Sequence, residues 1–115
     1  MQFFSTRDRN RVVNASQAIA QGLSDEGGLF VPQSFPKVDV ASICALDYPE
    51  MAAAIVGQYL TDYSQPFLAE AAKTTYGEAF DGKAGYLAPV SDEVDSLELW
   101  HGPTCGSQDY ARQLM

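Results

Sequence analysis

The sequence predicts a small α/β lobe of the α+β kind, mainly helical, with short strands near 2–6 and 96–100. Three observations carry this. The chain opens on a short aromatic segment suited to a strand. Two stretches in its middle repeat apolar residues at helical spacing behind recognisable caps. Near the end, Leu97-Glu98-Leu99-Trp100 alternates apolar and polar residues in the manner of a half-buried strand.

Taken in order, Gln2 to Thr6 is aromatic and β-friendly. Asn14 or Ser16 can cap a helix running to about Gln21, and Gly22 is a natural stop. Ser24-Asp25-Glu26-Gly27-Gly28 is a cluster of turn formers. It reads as a tight turn rather than a phosphate cradle, since no Lys-Ser/Thr follows it. Leu29 to Pro32 is a brief apolar exit, and Pro36 keeps the next stretch irregular. Cys44, inside Ala41 to Leu46, reads as a small buried hydrophobe.

Asp47 and Glu50 form a capping-box pattern with Pro49 in the first turn. A helix then presents Met51, Ile55 and Tyr59 to a core. Ser64 caps a second helix through Leu68, Ala72 and Tyr76, with Phe80 beyond, ended by Asp81-Gly82. Lys83 to Asp95 reads as a loop. After the strand, His101-Gly102-Pro103-Thr104 breaks the chain, and Asp109 to Met115 looks helical. The expectation is a truncated protein whose last helix stops midway. The aromatic set Tyr48, Tyr59, Tyr63, Phe67 and Tyr76 reads as packing.

Composition narrows the function classes. Hydrophobic residues make up 46% and charged residues 19% of 115, ordinary for a globular chain. Fifteen acids against seven bases give a net charge of -8, which argues against nucleic-acid phosphates as partners. No apolar run approaches the roughly 20 residues that span a bilayer, and Met1 to Asp8 is too charged and too short in apolar stretch to read as a signal peptide. The expected compartment is the cytoplasm. Two cysteines and one histidine support neither a disulfide framework nor a metal site.

The segment from Leu97 to Met115 is the most informative. His101-Gly102-Pro103-Thr104, one variable residue, and then a stretch ending in Asp109 at the head of a helix resembles the hallmark of threonine synthases. Phe4-Ser5-Thr6-Arg7 resembles that family's opening motif. Gly22 to Pro32 resembles its Asp-Gly-Gly-Leu turn, with Glu26 where aspartate is usual. Tyr48–Leu60 and Ser64–Phe80 fall where the family has two helices of its small N-terminal domain.

The resemblance implies the N-terminal domain over 1–95 and the start of a pyridoxal-phosphate-binding catalytic domain over 96–115. It implies threonine biosynthesis by a lyase that takes O-phosphohomoserine to threonine and phosphate. Ser5, Thr6, Arg7, His101, Gly102, Pro103, Thr104 and Asp109 would line the substrate or cofactor pocket. Gly106, Ser107 and Gln108, however, stand where the family carries Ala, Phe and the lysine that forms an imine with pyridoxal phosphate. Glutamine has no nucleophilic amine. The chain alone is therefore expected to bind no pyridoxal phosphate covalently and to be catalytically inactive.

Read from the residues alone, His101 is either a structural group bonded to nearby backbone or a site-lining one. Thr104 is either a turn cap or a substrate contact. Arg7 with Ser5 and Thr6 is either an anion contact or local capping and surface charge. A rival function is a degenerate, non-catalytic module acting through protein contacts, self-associating through 96–115. A third is a phosphate-compound binder without chemistry.

Overall fold

A computed structural model describes residues 1–115. Strand β1 (Gln2–Ser5) lies at the centre of a three-stranded antiparallel sheet, between β2 (Val12–Asn14) and β3 (Phe30–Pro32). Phe3 faces Val13 on one side and Pro32 on the other. The strands at 12–14 and 30–32 are additions to the sequence expectation. Each becomes a strand because β1 offers it a hydrogen-bonding edge. Helix α1 (Ala15–Gln21) follows at once. The Asn14 side chain accepts from Gln17 N–H while the Gln17 side chain reaches back, and Gly22 ends the helix at φ 75°.

After a short helix α2 (Val40–Ile43), α3 (Tyr48–Val56) starts on the Asp47/Glu50 capping box. It stops at Gly57, short of the expected Leu60. Its buried residue is Ala53, while Met51, Ile55 and Tyr59 are only half-buried. Cys44 is exposed, contrary to expectation, because α2 buries none of its residues. Helix α4 (Gln65–Ala72) begins at Ser64, whose hydroxyl accepts from Phe67 N–H. From Lys73 to Glu78 the coil widens into a π-helix and ends near Asp81 and Gly82, both at positive φ. The widened turn keeps the expected face buried: Leu68, Ala72, Tyr76 and Phe80 all lie inside.

The core gathers Ala53, Ala72, Tyr76 and Phe80, with Tyr48 and Tyr110 packed against them. Tyr48 meets Tyr76 edge-on at 5.3 Å, and Phe80 lies 4.6 Å from the Tyr110 ring.

The expected loop at 83–95 is instead half of a β-hairpin. Strands β4 (Tyr86–Ser91) and β5 (Val94–Glu98) pair antiparallel, with an irregularity between Pro89 and Ser91. Proline survives here because a two-stranded ribbon consists only of edges. Leu99 and Trp100 lie beyond the strand. The last helix, α5, spans only Asp109–Arg112. The molecule is elongated, 49 × 28 × 27 Å, and its radius of gyration of 16.0 Å exceeds the roughly 13 Å of a compact chain this long. No helix is long and apolar enough to cross a membrane.

Candidate functional site

The predicted site residues fall in two turns. In the first, β1 delivers Ser5 into the loop between α1 and β3. Ser5 is fully buried, its hydroxyl 2.9 Å from that of Ser24, and both hydroxyls donate to Glu26 Oε1. These two donors, Ser24 foremost, hold the Glu26 carboxyl below its usual range. Arg7 donates from its backbone to Ser5 Oγ at 3.2 Å and from its guanidinium to the Glu26 carbonyl at 3.0 Å. Thr6 Oγ1 accepts from Leu29 N–H at 3.0 Å. The tight turn is closed by Gly27 N–H donating to the Ser24 carbonyl at 2.7 Å, with Gly27 at φ 78°. Gly28 is obligatory: a Cβ there would stand 2.1 Å from Ser5 Oγ.

In the second, β5 ends at Glu98, whose carboxylate lies 2.6 Å from His101 Nε2. Tyr86 of β4 meets the imidazole edge-on at 5.8 Å. Gly102 and Pro103 then turn the chain. Asp109, at the start of α5, is fully inaccessible to solvent. Its Oδ2 accepts from Thr104 N–H and its Oδ1 from the Thr104 hydroxyl, each at 2.7 Å. Burial pushes this carboxyl up, yet the bonds from Thr104, Gln113 and Gly106 outweigh it and hold it below the usual range. A Cβ at Gly102 would come within 2.5 Å of Asp109 Oδ2, so the carboxylate needs a glycine beside it.

This second turn is fastened to the helical core. Tyr76 O–H donates to the Tyr110 carbonyl at 2.7 Å, Tyr110 Oη accepts from Gly85 N–H at 2.8 Å, and Thr75 O–H donates to the Gln113 carbonyl at 3.1 Å. Thr75 and Tyr76 both come from the π-helical turn, which aims them at α5.

No hydrogen bond or ion pair joins the two turns: Ser5, Thr6 and Arg7 bond within the first, and His101 to Asp109 within the second. Ser5 bonds within the first turn, and one guanidinium N–H of the exposed Arg7 is given to the Glu26 backbone carbonyl. Sequence reasoning missed Glu98 as the partner of His101, although their three-residue spacing was a signal. It also missed Ser24 and Tyr110, whose partners are distant in sequence. The turn does not fit a covalently held pyridoxal phosphate. Gln108 is exposed, its side chain makes no capping bond to α5, and its Oε1 folds to 2.6 Å from where a Gly106 Cβ would stand. An amide offers no amine for an imine.

Comparison with known proteins bears on both turns. A family profile described as "Threonine synthase N terminus" matches residues 2–76. Threonine synthase of Escherichia coli (strain K12) is 31% identical over 119 residues, an alignment covering 100% of this chain and 27% of the relative. Threonine synthase-like 1 of Homo sapiens is 36% identical over 130 residues, covering 98% of this chain and 17% of the relative. The crystal structure of threonine synthase from Escherichia coli superposes with a TM-score of 0.85 at 28% identity, over 99% of this chain and 27% of that one. PLP-bound threonine synthase from Brucella melitensis superposes at 0.83 with 30% identity, over 99% and 25%. The chain thus spans about a quarter of the length of the threonine synthases it matches.

Proposed function

The chain belongs to the threonine synthase N-terminus family, and from that premise we propose that it serves as the N-terminal part of a threonine synthase. The reaction would be conversion of O-phosphohomoserine to threonine with release of phosphate. In such enzymes pyridoxal phosphate supplies the electron sink. On this reading residues 1–95 form a small domain against the substrate, and 96–115 lead into the catalytic domain. Strand β5 straddles that division, so the hairpin would tie the two parts together. The chain alone would give no turnover, because Gln108 occupies the lysine position.

The observation that carries this reading is the turn from His101 to Asp109: a strand end, a Gly-Pro turn and a buried, bonded carboxylate, with Gly106, Ser107 and Gln108 in place of the family's Ala, Phe and Lys. The test is a fusion of residues 1–115 to the downstream three-quarters of the Escherichia coli enzyme, as it stands and with Gln108→Lys. With pyridoxal phosphate added, the lysine fusion should develop imine absorbance and the glutamine fusion should not. A lysine fusion that folds yet stays colourless would count against the reading.

A second reading, a non-catalytic module working through protein contacts or self-association, has its own support. The hairpin exposes Leu87, Val90, Val94 and Leu97 with only two strands to shelter them. An all-apolar cleft of about 200 Å3 also opens among Phe67, Leu68, Leu114 and Met115. Sedimentation tests the self-association: a concentration-dependent dimer abolished by Leu87→Lys favours the second reading, and a monomer at all concentrations removes its self-associating form.

A further inference from the structure

We infer that Asp109, and not the side chain at 108, sets the geometry of the turn between β5 and α5, which makes it the positioning residue for whatever group position 108 carries. The inference rests on the reading above only in taking 108 as the family's lysine position; the geometry is this chain's own.

Both oxygens of the Asp109 carboxylate are committed to Thr104, one to its N–H and one to its hydroxyl. The bonds span five residues, so they close the whole loop that contains Cys105 to Gln108. Inside that loop, Cys105 N–H donates to the Gly102 carbonyl at 3.0 Å, and Asp109 N–H donates to the Gly106 carbonyl at 3.0 Å. Cys105 takes φ 56°, a conformation that a side chain other than glycine's accepts only when its surroundings hold it. Gly102 leaves the space the carboxylate occupies.

Position 108 contributes only backbone. Its carbonyl accepts from Ala111 and Arg112 N–H at 3.2 and 3.0 Å, its φ and ψ of -63° and -21° suit any L residue, and its side chain is exposed. On the other side, Tyr110 is held by Tyr76 and Gly85. Residue 108 therefore sits between the buried carboxylate and a closed loop, and its side chain can be exchanged without cost to either. An amine at 108 would find the same backbone seat that the glutamine has.

The Thr104 amide reports on this directly, because a short bond to an ionised carboxylate shifts its proton downfield and slows its exchange with solvent. The test is amide NMR and hydrogen exchange on the isolated 115-residue chain without cofactor, so its outcome is independent of the fusion assay. Gln108→Ala and Gln108→Lys should leave the Thr104 shift and exchange rate as they are. Asp109→Asn should speed exchange about tenfold, the size expected for the loss of one net hydrogen bond. Thr104→Val should loosen the turn and Thr104→Ser, which keeps the hydroxyl, should restore it. Should Asp109→Asn fail to fold, the two Thr104 variants decide alone. The inference is overturned if either Gln108 variant moves the residue 104 amide as far as Asp109→Asn or Thr104→Val does, or if Thr104→Ser fails where Thr104→Val fails.

Discussion

At the N-terminal turn, the Glu26 carboxylate lies at the surface and the hydroxyls it gathers, from Ser5 and Ser24, are buried. At the C-terminal turn the arrangement is inverted: the Asp109 carboxylate is buried and its donor, Thr104, is exposed. Both turns set a glycine beside the bonded group, Gly28 against Ser5 and Gly102 against Asp109, where a Cβ would collide. The first bond set reaches across 21 residues and ties a strand to a loop; the second closes within five. The contrast separates two jobs. The N-terminal clasp holds the fold of the sheet. The C-terminal clasp holds one loop in shape and depends on the tyrosine cluster to place that loop against the core.

The dependence of the C-terminal turn on the core can be broken at Phe80, fully buried and 4.6 Å from the Tyr110 ring. Phe80→Ala should cost about 3–5 kcal/mol in urea-unfolding experiments. It should also raise hydrogen exchange through 109–113 while amides of β1 exchange more slowly than those of α5.

The likeness of the two clasps can be tested next. Gly102→Ala and Gly28→Ala should each cost about 1–3 kcal/mol by overpacking against a bonded polar group. Gly28→Ala should disturb the amides of Arg7 and Ser24, and Gly102→Ala those of Thr104 and Asp109. Crossed effects between the turns would contradict their independence.

The smallest expected effect is electrostatic. Both carboxyls are held below their ordinary values. Each therefore contributes stability that is fully present above the unfolded-state value of about 4, and that is lost as pH falls through the folded one. Melting temperature should be level above about pH 5.5 and fall in acid. Glu26→Gln should flatten part of that acid limb, and an unchanged limb would mean that the Ser5 and Ser24 bonds do not favour the ionised form.

What was legible in the sequence was chiefly local. Asn14, Asp47 and Ser64 cap the helices they were expected to cap, because each bond lies within one turn of the chain. The burial of Leu68, Ala72, Tyr76 and Phe80 was readable from spacing, although the π-helical widening that aims Thr75 and Tyr76 at α5 was not. Strands β2, β3 and β4 were missed because a strand is made by its partner. Val12 to Asn14 becomes one only against β1, and Pro89 with the acids around it disguised β4 as a loop. Of the candidate site, the motif residues could be named, but not their partners. Ser5 could be singled out by its motif, but not its bonds to Ser24 and Glu26, which lie 19 and 21 residues away.

The proposed function makes this chain the N-terminal part of a threonine synthase whose turn keeps Thr104 and Asp109 but carries glutamine at the lysine position. Phosphate release from O-phosphohomoserine by the two fusions, side by side, tests it most directly. No release above background is expected with glutamine at 108, and steady, pyridoxal-phosphate-dependent release after Gln108→Lys. Equal release by both fusions, or none from a folded lysine fusion, would contradict it.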